Sequence, residues 1–248
     1  MKRWMFVIAV SLMAVIILAT AGCQSGDETL VVGTSADYEP FEYVGEDGEF
    51  TGFDIELMEE IADRMGRELE WQDIAFDGLI GALQTDKIDA IIAAMSATPE
   101  REEQVDFTDP YFIGADAIIV AEGSDISISK NEDMAGHTVG VQSGTIQEEW
   151  IAENIEAEVS RYERAEQAIM DLQAGRIDVV AMDYYAAQSF IDQGGIELAL
   201  QTEFSGEHMA VAVKEGNTEL REEFDQIIDE LQAEGFIEDL AMKYLVEE

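Results

Sequence analysis

Basic residues are scarce in this chain. Its 248 residues hold 13 Lys and Arg against 55 Asp and Glu, for a formal net charge of -42 at pH 7. A surface of that sign repels nucleic acid and anionic lipid headgroups, so no nucleic-acid partner is expected. The acids are spread along the whole chain. That spread fits general adaptation to a salty medium; steering of a cationic ligand is the alternative, but it would not require acids everywhere. Cysteine occurs once, at Cys23, which excludes an intramolecular disulfide framework. Three prolines exclude a Pro-rich disordered chain. Only two histidines occur, His137 and His208. No metal-spaced Cys/His set, Ser/His/Asp arrangement or Gly-rich phosphate loop is written in the sequence, and no cofactor or metal is implied.

Apolar residues are not scarce. At 47% they suffice for one large domain or two modest ones. The first residues read as a targeting segment. Lys2 and Arg3 precede an apolar run from Trp4 to Ala19, then "ATAGCQSGDE". The arrangement resembles a bacterial lipoprotein signal: residues 1–22 are removed, Cys23 becomes lipid-modified, and residues 23–28 form a tether. Thr20 departs from that pattern, which usually has an aliphatic residue there. An uncleaved anchor and a free secreted form are the alternatives. Each places the body outside the cytoplasmic membrane, and the first ties it to the membrane through lipid on Cys23.

One phrase is written twice. "LQTDKIDAIIAAM" runs from Leu83 to Met95, and "LQAGRIDVVAMD" from Leu172 to Asp183. Around the first copy the pattern reads strand, helix, strand, helix, strand. "LVV" opens it. "GFDIELMEEIADRMG" is a helix with Asp54 as cap, a Leu57/Met58/Ile61/Met65 stripe and Gly66 as stop. "ELEWQDI" is a strand. "FDGLIGALQTDK" is a helix capped by Asp77. "IDAIIAAM" is a continuous buried strand. "GHTVGVQSGT", "TIQEEWIAENI", "RAEQAIMDLQAGR" and "IDVVAMD" repeat the grammar. The repeat therefore marks one step, helix to buried strand, made once in each of two α/β lobes. "HMAVAVKEG" and "GADAIIVAEG" read as paired strands crossing between the lobes. Lobe 1 is then residues 29–110 plus 210–248, lobe 2 is 115–204, and hinges fall at about 111–115 and 205–209.

In order along residues 29 to 247, "GTSADYEPFEY", "GFDIELMEEIADRMG", "FDGLIGALQTDKIDAIIAAMSATPEREEQVDFTDPY", "HTVGVQSGTIQEEW", "LQAGRIDVVAMD" and "LQAEGFIEDLAMKYL" resemble the family-3 extracytoplasmic solute-binding proteins, the amino-acid-binding subunits of ABC importers. No single motif is decisive; the ordered set is strong. The resemblance implies a periplasmic-binding-protein clamshell, α/β, with a mostly parallel doubly wound sheet in each lobe. It implies capture of one free amino acid by a monomer and delivery to a membrane permease with its cytoplasmic ATPase.

The residues support such a site. Ligands in open α/β sheets sit beyond the carboxyl ends of strands, where both copies of the repeat arrive. Arg101 suits a carboxylate. Thr98 can cap a helix, Pro99 fits its first position, and Arg101 follows in the first turn. The alternative is a surface ion pair with Glu100, Glu102 or Glu103. The resemblance assigns Ala94, Ser96 and Thr145 to the carboxylate, Asp183 to the α-ammonium, and Tyr38 and Phe76 to the ligand side chain. Turn chemistry, a helix cap and core packing are the respective alternatives. Ser35 stands where many basic- or amide-selective relatives carry an acid, and Gln142 where relatives vary with ligand. A polar amino acid is expected. Asp37, Glu39 and the net charge lean toward a cationic one.

Some relatives of this fold are cyclohexadienyl dehydratases, which need an acid/base pair in the cleft. His137 precedes a strand and His208 lies near a hinge, so neither is an obvious catalyst. A ligand-sensing subunit for a membrane receptor is the other alternative. A stand-alone binding subunit is the expectation.

Overall fold

A computed structural model describes residues 29–246 apart from 205 and 207. The leader, the tether and Cys23 lie outside the described residues. The chain opens with β1 (Leu30–Thr34) and a small antiparallel sheet of β2 (Asp37–Tyr38), β3 (Glu42–Val44) and β4 (Phe50–Thr51). Then come α1 (Phe53–Met65), β5 (Leu69–Asp73), α2 (Leu79–Gln84), β6 (Ala90–Ile91), α3 (Pro99–Glu102) and β7 (Val105–Phe107). After β8 (Phe112–Ile113), the second half runs β9 (Asp116–Ala121), β10 (Thr138–Gln142), α4 (Ile146–Asn154), β11 (Glu158–Tyr162), α5 (Ala165–Gln173), β12 (Val179–Asp183), α6 (Tyr184–Asp192) and β13 (Ile196–Thr202). The chain returns through β14 (His208–Met209) to β15 (Ala212–Lys214), α7 (Thr218–Glu234) and α8 (Phe236–Tyr244).

Two five-stranded sheets result, ordered β5-β1-β6-β15-β7 and β11-β10-β12-β9-β13. In each, three parallel strands are followed by an antiparallel one. The fold is the two-lobe clamshell. The duplicated phrase has a physical reason. Asp89 Oδ2 accepts the Val31 N–H at 2.9 Å, and Asp178 Oδ2 accepts the Thr138 N–H at 2.8 Å. Each aspartate thereby pins the strand its repeat delivers to the parallel strand beside it, β1 in one sheet and β10 in the other. The preceding isoleucines repeat a contact too. A Cβ added at Gly33 would lie 2.5 Å from Ile88 Cδ1, and one at Gly140 would lie 2.5 Å from Ile177 Cδ1. Glycine there lets the repeat isoleucine lie flat on the neighbouring strand.

Helices cover the sheets with the apolar stripes expected. Leu57, Met58 and Ile61 of α1 are buried, as are Phe224, Ile227, Ile228 and Leu231 of α7. Each such side chain contributes roughly 1.5–3 kcal/mol. Gly66, at φ 66°, ends α1 in a left-handed cap.

Five local expectations are corrected. The two strands read as paired crossings do not pair with each other: β9 lies between β12 and β13, and β15 between β6 and β7. The pairing made by the crossing segments is β8 with β14, His208 opposite Ile113 and Met209 opposite Phe112. "HMAVAVKEG" is accordingly two short strands. "IDAIIAAM" is strand only at Ala90–Ile91, because the chain turns at Ala94, whose φ is 46°. Gly52, not Asp54, is the N-cap of α1, and Asp77 lies in a 3-10 turn, Phe76–Gly78, rather than capping α2. At φ 128°, Gly52 runs so close to the backbone that an added Cβ would lie 2.2 Å from the Phe41 carbonyl oxygen. That leaves Asp54 free to turn inward.

Candidate ligand cavity between the two sheets

A cavity lies where the carboxyl ends of the two sheets face each other. All nine residues expected at a site line it: Ser35, Tyr38, Phe76, Ala94, Ser96, Arg101, Gln142, Thr145 and Asp183. Neither histidine does. Among the described residues no His/Cys/Asp/Glu group could hold a metal ion, and no helix is long and apolar enough to cross a membrane.

Arg101 is buried, not on a solvated face. Thr98 Oγ1 accepts the Arg101 N–H at 3.3 Å, and Pro99 starts α3, so the cap expected from the sequence aims this side chain. The guanidinium donates to the Ser96 carbonyl at 2.5 Å and, across the cleft, to the Gly144 carbonyl at 2.9 Å. Its Cζ lies 5.4 Å from the centre of the Phe76 ring. Gly144 immediately precedes Thr145, the N-cap of α4, whose hydroxyl accepts the Glu148 N–H at 3.3 Å and donates to the Gln142 carbonyl at 2.8 Å. A guanidinium and a helix N-terminus therefore converge at one end of the cavity. Both favour an anion. At Gly144, φ is 79° and an added Cβ would lie 3.1 Å from Asp77 Cβ, so this approach of the two halves needs glycine.

Carboxyl groups gather elsewhere in the cavity wall. Asp183 caps α6: its Oδ1 accepts the Tyr185 N–H at 2.8 Å and the Ala186 N–H at 3.3 Å. Its own N–H donates to the Tyr38 hydroxyl at 3.0 Å, tying the two halves together. Behind the wall, Asp54 accepts the Ala94 N–H at 2.6 Å and the Tyr111 hydroxyl at 2.8 Å. It braces the left-handed turn at Ala94, an expensive conformation for alanine. With its N–H taken, Ala94 offers the cavity only its carbonyl and methyl. Burial raises the Asp54 carboxyl to about 7.

Four lining residues escaped the sequence reading: Ala93, Ile146 and two polar ones, Glu42 and Gln147. Glu42 is 1% exposed, and its buried Oε2 has no hydrogen-bond partner. Burial, with Asp54, Asp37 and Asp183 adding to it, pushes its carboxyl well above the usual range. The signal was an acid set between aromatics, Phe41 and Tyr43, at the inward position of a strand. Gln147 donates to Asp116 Oδ1 at 2.7 Å, and Asp116 Oδ2 accepts the Phe204 N–H at 2.8 Å. The cavity wall is thus bonded to the ends of both crossing segments.

Comparison with known proteins gives consistent matches. Residues 30–247 match the bacterial extracellular solute-binding proteins, family 3. The L-cystine-binding protein TcyJ of Escherichia coli (strain K12) is 33% identical over 218 residues, 87% of this chain and 82% of that protein. The arginine-binding extracellular protein ArtP of Bacillus subtilis (strain 168) is 32% identical over 260 residues, spanning 100% of both. An ancestral arginine-binding protein solved with arginine superposes with a TM-score of 0.82 at 38% identity, covering 88% of this chain and 98% of that one. The family match spans both sheets, both crossings and every residue of the cavity, and this chain belongs to the bacterial extracellular solute-binding proteins of family 3.

Proposed function

We propose that this chain is the extracytoplasmic binding subunit of an ABC importer, and that its ligand is a free cationic amino acid, arginine first among them. The observation carrying the choice of ligand is Glu42. A buried carboxyl oxygen without a partner, set among other acids, is costly as it stands (about 1–3 kcal/mol for an unsatisfied buried group). A guanidinium or ammonium would satisfy it and return it to the charged form. Relatives whose names give arginine or histidine as ligand support the same reading. In this reading Arg101, with the N-terminus of α4, holds the α-carboxylate. Ser96 and Thr145 shape that end, and Asp183 takes the α-ammonium. Tyr38 and Phe76 flank the side chain on its way to Glu42, beside Ser35, Ala94 and Gln142.

The proposal extends to assembly. Residues 29–110 with 210–248 form one lobe and 115–204 the other. They close about segments 111–115 and 205–209, where β8 pairs with β14. The mature protein is a monomer anchored outside the cell membrane by lipid on Cys23, and it delivers ligand to a permease driven by a cytoplasmic ATPase. A thermal-shift screen over the proteinogenic amino acids and cystine tests the ligand. At one hundred times its dissociation constant, a ligand adds about 2.7 kcal/mol. Arginine, lysine or histidine should give the largest shifts. A larger shift with a neutral or acidic amino acid would overturn the cationic assignment.

A further inference from the structure

Outside the cavity, one arginine of the second half reaches into the first. Arg164 sits just ahead of α5. Its Nη1 donates to Asp73 Oδ1 at 3.0 Å, Asp37 Oδ1 at 3.2 Å and Ser35 Oγ at 3.3 Å, while Nη2 reaches Asp73 Oδ2 at 3.2 Å. Asp73 is thus held by both ends of the fork, the strongest arrangement for this pair. Asp37 does a second job. Its Oδ2 accepts the N–H of Ala165, the first residue of α5, at 2.9 Å. A carboxylate from β2 in the first half therefore sits on the N-terminus of a helix that packs on the second half's sheet. Ser35 Oγ donates to Asp37 Oδ1 at 3.1 Å, and the Ala36 N–H donates to Asp73 Oδ1 at 3.1 Å, so the receiving side is preorganised.

These contacts share one property. Every bond just given for Arg164 and Ala165 crosses between the two halves, so none survives their separation. In a chain with 55 acids and 13 bases, two such halves repel as they close. Arg164 places a positive charge where two acids of the opposite half meet it. It also touches Ser35, a wall residue of the cavity, so the latch and the ligand share a side chain.

We propose that Arg164, with Asp37 and Asp73, is a closure latch that sets ligand affinity without touching the ligand. The proposal rests on the reading of this protein as a clamshell that closes on an amino acid. An interaction made only in the closed form lowers the dissociation rate. It acts on every ligand alike and leaves selectivity to the cavity.

The test titrates arginine into wild type, Arg164→Ala, Asp73→Ala and the double variant by calorimetry, with stopped-flow dissociation rates. Arg176→Ala is the control, since Arg176 pairs with Asp171 inside its own half. Each latch variant should weaken binding about tenfold (about 1.4 kcal/mol), chiefly through faster dissociation. The double variant should be little worse than either single one. The ligand-free melting temperature should stay at the wild-type value, and the loss should shrink in molar NaCl. Arg164→Ala within twofold of wild type, or fully additive single variants, would overturn the latch. If wild type binds no amino acid, the function proposal fails. The latch, which forms only on closure around a ligand, then falls with it, whereas arginine binding by wild type with an unchanged Arg164→Ala overturns the latch alone.

Discussion

Arg101 donates to the carbonyl oxygen of Gly144 at 2.9 Å, and these two residues belong to opposite halves of the clamshell. One guanidinium therefore serves both the cavity and the closed arrangement. Arg101→Ala should lower affinity by on the order of 30-fold to several thousand-fold, since truncating one member of a buried charge pair costs roughly 2–5 kcal/mol. Arg101→Lys should recover part of the loss, because an ammonium lacks the planar fork. Calorimetric titration of arginine into both variants checks this. Arg101→Ala within threefold of wild type would remove Arg101 from the site.

Asp54 predicts a pH dependence of stability. Its folded carboxyl holds its proton to about 7, whereas an unfolded aspartate releases it near pH 3.9. With the folded value raised, the neutral carboxyl's contribution is complete below the unfolded value and drains away as pH rises toward 7. Relative to Asp54→Asn, wild type should lose on the order of 2 kcal/mol between about pH 5 and 7, with a constant difference above that range. Denaturant melts of both proteins across the range measure it. Parallel curves would show that Asp54 is ionised throughout.

Charge predicts the response to salt. A net charge of -42 over a chain of this size strains the compact state by self-repulsion, which screening relieves. The melting temperature should climb with NaCl from low to molar concentration. A flat profile would favour the alternative in which the acids steer a cationic ligand.

Much of this architecture was legible in the sequence because it repeats. The Ile-Asp pair of each copy has the same two tasks, packing over Gly33 or Gly140 and accepting from Val31 or Thr138. A task performed twice leaves a double signature. The Thr98-Pro99-Arg101 spacing was equally plain, since a cap and a first-turn residue are local relations. What was hidden depends on distant partners. Asp54 looks like a cap from its neighbours and acts instead on Ala94, forty residues on. Glu42 reads as an ordinary surface acid until Phe41, Asp54 and Asp183 close around it. Arg164 announces nothing, because Asp37 and Asp73 come from the other half of the fold.

The central claim is that Glu42 makes the cavity selective for a cation. Its most direct test is the ratio of arginine to glutamine affinity, measured by calorimetry in wild type and in Glu42→Gln at neutral pH. Glutamine matches arginine at the α-carbon and lacks the charge. In wild type arginine should bind at least tenfold tighter. In Glu42→Gln the preference should collapse toward equality through loss of arginine affinity, by on the order of 30-fold or more for a buried charge pair. An unchanged arginine-to-glutamine ratio in Glu42→Gln would contradict the account.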